Sequence, residues 1–210
     1  MQVKTITVGA LQTNCYLLFD PDSREAYVVD PGDEAQDIAD AVEELSLQVL
    51  AIVLTHVHFD HMLAAESLCR RWHAPLWIGA DDQPALTDSR RNLMDLFSPG
   101  AVLMLQAQRL LFEGDVLPLG RTQLTVMETP GHTPGSLCLV TDEAIISGDT
   151  LFCGSIGRTD FPGGNALTLY GSLARLMSIE GDRTVYPGHG EPTSLSYERT
   201  TNPFVLGKVL

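Results

Sequence analysis

Six positions, 56–61, hold three of the chain's six histidines and an aspartate: His56, His58, Asp60 and His61, in THVHFDH. Residues two apart share a face in extended backbone, so His56 and His58 can turn both imidazoles on one cation. Asp60 and His61 fall where the chain turns towards a helix and can address a second position. Three further donors stand far along the sequence, each among glycine and proline: His132 in PGHTPG, Asp149 in SGDT and His189 in YPGHGEP. Glycine and proline make tight turns and let backbone approach closely, an unusual setting for a core histidine. One ion needs three or four ligands. The seven N and O donors suffice for two ions, with Asp149 able to bridge them. Imidazole with carboxylate suits zinc first, and also iron or manganese. A lone histidine is more often a hydrogen-bonded structural residue, and His73 in RRWHAP is read that way.

Such donors meet only if the chain carries them to one place. Four strand-like runs end in them: VLAIVL (49–54) before His56, the run 122–128 before His132, 143–147 before Asp149, and TVYP (184–187) before His189. Loops at the ends of neighbouring strands can converge although distant in sequence, and they are free of core packing. Other strands are expected at 2–8, 14–19, 25–30, 109–112, 115–119 and 136–140. Helices are expected at 34–46, with Ile38, Ala41, Val42 and Leu45 on one face, and at 61–72, with Arg70 and Arg71 outward. A third is expected at 165–178, with Asn165 as its N-cap. A short helix starts near Ser194, and 80–105 is mixed and helical in part. Strands, then helix–strand alternation, then strands again imply sheets packed together with helices outside. One domain over 1–210 is expected.

The totals set the class. The chain has 210 residues, 44% apolar and 19% charged, enough for a sizeable globular core. The formal net charge of −14 repels phosphate backbones and anionic lipid, and no basic stripe offsets it. No nucleic-acid or membrane partner is therefore expected. No run approaches the ~20 apolar residues of a membrane span. The start, MQVKTITVGALQTNCYLL, alternates like a strand rather than a signal peptide, so a cytoplasmic location is the default. Cys15, Cys69, Cys138 and Cys153 form no CxxC pair and read as neutral thiols. Composition leaves the oligomeric state open.

THVHFDH, PGHTPGS, SGDTLF and YPGHGEPT, with VVDPG (28–32) and TNCYLL (13–18), resemble the metallo-β-lactamase superfamily over nearly the whole chain. The resemblance implies an α/β fold, an αββα four-layer sandwich of two mixed β-sheets flanked by helices, with metals at one edge. It implies that His56, His58 and His132 hold one metal, that Asp60, His61 and His189 hold a second, and that Asp149 bridges. Asp30 then orients a ligand, where otherwise it reads as the turn residue of DPG. GDTLF and PGHG resemble glyoxalase II-like hydrolases, the thioesterases of hydroxyacyl-glutathione. The chain ends soon after YERTTNPF, leaving no room for the C-terminal glutathione-binding helical domain of glyoxalase II proper. GSIGRTDFPGGN (154–165) resembles the short bacterial glyoxalase II-like proteins, and its RTDF portion also resembles persulfide dioxygenases.

The expected activity is hydrolysis of an acyl thioester or related ester. Two divalent cations bring the pKa of a shared water towards ~7, and the resulting hydroxide attacks the carbonyl. Asp60 both binds metal and orients the nucleophile. Arg158 is the candidate for gripping a substrate carboxylate, against a loop ion pair with Asp160. The alternatives are an iron-dependent persulfide dioxygenase, using His56, His132 and Asp149, a metal-dependent nuclease, and a non-catalytic metal-binding module.

Overall fold

The computed structural model describes residues 1–97, 100 and 103–208. One six-stranded sheet has the order β1 (Gln2–Val8), β2 (Thr13–Phe19), β3 (Glu25–Val29), β4 (Gln48–Leu54), β5 (Leu76–Gly79) and β6 (Arg109–Leu111). Its first two pairings are antiparallel and the rest parallel. The second has β7 (Val116–Leu119), β8 (Thr122–Glu128), β9 (Leu137–Val140), β10 (Ala144–Gly148), β13 (Thr184–Pro187) and β14 (Thr193–Ser194) side by side. All its pairs are antiparallel except β10 with β13. A small hairpin, β11 (Leu151–Phe152) and β12 (Ser155–Ile156), stands apart.

Side-chain alternation assembles the layers. In β2, Tyr16 and Leu18 face one way and Cys15, Leu17 and Phe19 the other. The first set joins Tyr27, Val29, Ala51 and Val53 from its own sheet and Leu124, Val126, Leu137, Leu139 and Ile146 from the second. The outward set meets α1 (Ala35–Glu44), through Ile38 and Val42, and α3 (Ala65–Trp72), through Ala65 and Leu68. Behind the second sheet, Cys138, Ile145 and Val185 pack on Leu169, Leu173 and Leu176 of α5 (Ala166–Met177). Each fully buried aliphatic side chain contributes roughly 1.5–3 kcal/mol to holding these layers. The result is the expected sandwich of two mixed sheets between helices. Among the described residues no helix is long and apolar enough to cross a membrane.

The sequence reading needs several corrections. The helix expected at 61–72 is two: α2 (Phe59–Met62) and α3, parted at Leu63 and Ala64. The break occurs where the Ala64 N–H donates to the Pro31 carbonyl (3.0 Å), pinning the loop after β3 against the chain. β5, β14 and the β11–β12 hairpin were not anticipated. Within 80–105 lie a 3-10 stretch at Ala80–Thr87 and α4 (Met94–Phe97); 98, 99, 101 and 102 fall outside the described residues. Asn165 caps α5, its side chain accepting from Thr168 N–H at 3.0 Å. Ser194 does the same for α6 (Leu195–Thr201) through Tyr197 N–H at 3.3 Å. His73 ends α3 in a left-handed conformation, and all four cysteines are free.

Candidate metal centre

Strand direction brings the donors together. β3 and β4 are parallel, so Asp30 and the segment carrying His56 and His58 leave the first sheet at the same edge. β8 runs alongside β10 through two antiparallel steps, and β10 is parallel to β13, so His132, Asp149 and His189 all follow ends of one sense. The sheets meet at this edge: Leu137 N–H donates to the Thr55 carbonyl (2.9 Å), and Asn14 N–H to the Gly188 carbonyl (2.8 Å). Glycine permits the approach. Gly148 has φ +47, and a Cβ there would lie 2.3 Å from Thr55 Oγ1.

His56, His58 and His132 form one group, with ring centroids 4.6–4.7 Å apart. His58 Nδ1 faces His132 Nε2 at 2.9 Å. Backbone and hydroxyl partners set the tautomers. His132 Nδ1 lies 2.7 Å from the Arg158 carbonyl, which can only accept, so Nε2 is left with its lone pair. Thr55 Oγ1 sits 3.2 Å from His56 Nδ1 and donates to Asp30 Oδ2 at 2.6 Å.

Asp60, His61 and His189 form the second group. His189 Nε2 is 3.3 Å and His61 Nε2 is 3.6 Å from Asp60 Oδ2. Asp149 stands between the groups: Oδ1 is 3.5 Å from His61 Nε2, and Oδ2 is 3.5 Å from His132 Nε2 and 3.7 Å from His189 Nε2. The remote nitrogens are again oriented, His61 Nδ1 by Asp30 Oδ2 (2.9 Å) and His189 Nδ1 by the Leu11 carbonyl (3.1 Å). Asp30 also lies within ligand spacing of His56 and His61. Its oxygens, however, already accept from Thr55 N–H (2.7 Å), Thr55 Oγ1 and His61, so it orients rather than ligates.

The donor set fits metal. His56 Nε2, His58 Nε2, His61 Nε2 and Asp149 Oδ1 are buried without a hydrogen-bond partner. Buried polar atoms are ordinarily satisfied, and the orphaned His56 Nε2, His61 Nε2 and Asp149 Oδ1 are what divalent cations would complete, with His58 offering Nδ1, the nitrogen that faces His132. The electrostatics agree. Burial, reinforced by neighbouring histidines, holds His56 well below the usual imidazole range and His58 down at about 2, the neutral form that ligates. Burial opposes ionisation of Asp60, yet His61, His189 and Thr13 Oγ1 (2.9 Å) outweigh it and hold the carboxyl below its usual range. Burial likewise opposes a charge on His61, but Asp60, Asp149 and Asp30 push it up to about 10. His189 is raised by Asp60 and Asp149 against its own burial.

Arg158 lines the same cleft, its guanidinium paired with both Asp160 oxygens at 2.7 Å. Sequence reasoning missed Asp82, which is 1% exposed. Its carboxylate accepts from Val57 N–H (3.2 Å), between His56 and His58, and from Thr133 Oγ1 and Gly135 N–H (both 2.8 Å), just after His132. It clamps the two loops of the first donor group. Asp82 lies just beyond β5, so reading LWIG as a strand would have made it a strand-end carboxylate like the others.

Fold and donor cluster together are those of a metal-binding protein. The profile of the Metallo-beta-lactamase superfamily matches residues 8–189, and the chain belongs to that superfamily. Hydroxyacylglutathione hydrolase GloC of Haemophilus influenzae is 34% identical over 212 residues, covering 99% of this chain and 100% of that protein. The crystal structure of BLEG-1 B3 metallo-beta-lactamase superposes with a TM-score of 0.91 at 33% identity, covering 97% of this chain and 99% of the other. That of TTHA1623 in a di-iron-bound form gives 0.85 at 36% identity, covering 96% and 100%.

Proposed function

We propose that this protein hydrolyses an acyl thioester or related ester at a two-metal centre. His56, His58 and His132 hold one ion, Asp60, His61 and His189 the other, and Asp149 bridges. The observation that carries the reading is Asp149 placed between the donor groups, Oδ1 near His61 and Oδ2 near both His132 and His189, while four buried polar atoms of the cluster lack partners. GloC supports a thioester as the bond cleaved. Zinc suits the imidazole and carboxylate donors; the di-iron neighbour makes iron the competing occupant.

When bound, such ions supply Lewis acidity and bring the pKa of water towards ~7. The chain's own residues do the rest. Asp60 is held ionised, and Thr13 donates to Oδ2; Oδ1 is left to accept from the attacking water and align it. Water loses a proton to solvent as its oxygen adds to the acyl carbon; the C–S bond breaks with its electron pair on sulfur, which leaves as thiolate without a dedicated acid near neutral pH, and the carboxylic acid product releases the second proton. Asp30 and the Arg158 and Leu11 carbonyls keep the imidazoles in their ligating tautomers. Arg158 lines the cleft, so Arg158→Ala is expected to raise KM and to leave metal content unchanged.

Metal analysis of protein purified without chelator, with a panel of small thioesters, tests this. Two metal equivalents with thioester turnover are expected; metal loading without cleavage of any acyl substrate overturns the reading. The RTDF stretch, 158–161, motivates one rival, oxidation of glutathione persulfide at a single iron held by His56, His132 and Asp149, which oxygen uptake by the iron-loaded protein detects.

A further inference from the structure

Resting on the hydrolase reading above, we propose that the cleft over the donors is a subsite for an uncharged, apolar substituent of the substrate, such as a medium-length acyl chain, rather than for the charged body of glutathione. The cleft measures about 380 Å³, within the range of small-molecule sites. Leu11, Phe59 and Phe97 wall it from the N-terminal half of the chain, and Phe152, Ile156 and Phe161 from the C-terminal half. Phe59 and Phe97 stack with centroids 4.6 Å apart and planes at 13°, while Leu11 and Phe97 stay 46% and 50% exposed. A further groove of about 210 Å³ shares Leu11, Phe59 and Phe97 and continues past Gly32 and Leu63. Apolar side chains thus line a path from beside Asp60 and His58 out to the half-exposed Leu11 and Phe97. Concave sites walled by apolar and aromatic side chains with a few convergent polar groups are the usual form of a small-molecule site.

Charge argues the same way. Outside the donor histidines, Arg158 is the one cationic side chain among the described residues lining the cleft. Its guanidinium is neutralised by Asp160 and lies 3.8 Å over the Phe161 ring, so it closes an aromatic wall instead of offering a free charge. Asp60 and Asp149 belong to the metal donors, which leaves Asp33, in the groove, as an acidic neighbour. Away from the donors, the two carboxylates of a glutathione moiety find no unpaired cationic side chain among the described residues that line the cleft and the groove. An alkyl chain instead takes Leu11 and Phe97 out of water, and the gain grows with each methylene.

The test uses the metal-loaded full chain. Acetyl, butanoyl and hexanoyl thioesters of N-acetylcysteamine vary the acyl side, S-ethyl, S-butyl and S-hexyl thioacetate vary the thiol side, and S-lactoylglutathione supplies the charged thiol. We expect kcat/KM to rise about tenfold or more from the shortest to the longest member of one arm. The arm that shows the rise tells which side of the carbonyl the groove faces. Phe97→Ala and Leu11→Ala, both at half-exposed positions, should flatten the rise, costing the long substrate several-fold more than the short one. A flat length profile in both arms, or a lead for S-lactoylglutathione, overturns the proposal. Calorimetric binding of hexanoate against acetate separates it from the hydrolase reading. If no thioester is cleaved but hexanoate binds about tenfold tighter, the hydrolase reading falls and the subsite stands. If hexanoate binds no tighter, the subsite falls.

Discussion

Asp149 is the side chain on which both donor groups converge, and its surroundings show why another residue cannot replace it. One oxygen is buried without a hydrogen-bond partner and the other lies 3.5–3.7 Å from two imidazole nitrogens. Asparagine would place an NH2 against one group, and alanine would leave both groups one ligand short. Asp149→Ala is expected to drop bound metal from two equivalents to one or fewer and to lower kcat/KM by a factor of ~10² or more. Elemental analysis of the purified variant checks it; two retained equivalents would remove Asp149 from its bridging position. The contrast with Asp30 is one of occupancy. Both carboxylates face His61, but Asp30 spends its acceptors on Thr55 and His61 Nδ1, whereas Asp149 keeps a lone pair unspent.

At the scale of elements, the centre depends on loops held still by carboxylates that touch no metal donor directly. Asp82, from the 3-10 stretch after β5, ties the β4–α2 loop to the loop that follows His132. Burial pushes its pKa up, against the donors that favour the ionised form. Asp82→Asn turns one acceptor into a donor facing other donors, a cost of about 1–3 kcal/mol. The expected readouts are a lower denaturant midpoint and weaker metal retention against a competing chelator, with the loss greater at the His56–His58–His132 group. Equal weakening at both groups would reduce Asp82 to a general stability role. Glu198 plays the corresponding part in α6, accepting from Gly154 N–H (3.0 Å) and so fixing the β11–β12 hairpin that precedes Arg158. These same elements mark where sequence reading stops. Donors at the ends of β4, β8, β10 and β13 were legible because each follows a strand-like run and either clusters with other donors, as in 56–61, or sits in Gly/Pro punctuation. The two-residue β11, β12 and β14 are too short to carry a period, and β5, although as long as β13, leads into no histidine that would mark it. Asp82 and Glu198 are anchored through them, so they were hidden too. The single helix expected at 61–72 fails for a related reason: helical spacing continues through Leu63 and Ala64, but a tertiary hydrogen bond to Pro31 overrides it.

For the whole molecule, the centre is a seam between two halves of the chain. The first sheet supplies His56, His58, Asp60 and His61, and the second supplies His132, Asp149 and His189. Direct ties across that edge include Leu137 N–H to the Thr55 carbonyl, the Asp82 clamp and a set from β2: the Asn14 amide donates to the Pro187 (3.1 Å) and Gly190 (2.9 Å) carbonyls, and the Tyr16 hydroxyl to Pro187 O (2.6 Å). Without metal, unpartnered buried donors from both sheets face one another there. Ions bound across the seam stabilise only the folded arrangement. At a thousandfold excess over Kd one such ion contributes about 4 kcal/mol. At roughly 2–4 °C per kcal/mol for a chain of this size, stripping one such ion with a chelator should lower Tm by ~8–16 °C, and stripping both should lower it further. Asn14→Ala loosens the backbone on both sides of His189, so it should lower Tm with or without metal and also shrink the shift caused by chelation. Calorimetry of wild type and variant, each metal-loaded and stripped, reads both effects. A wild-type shift below ~2 °C would mean that the two halves do not share ions, and the sandwich would then owe its cohesion to the interlayer core alone.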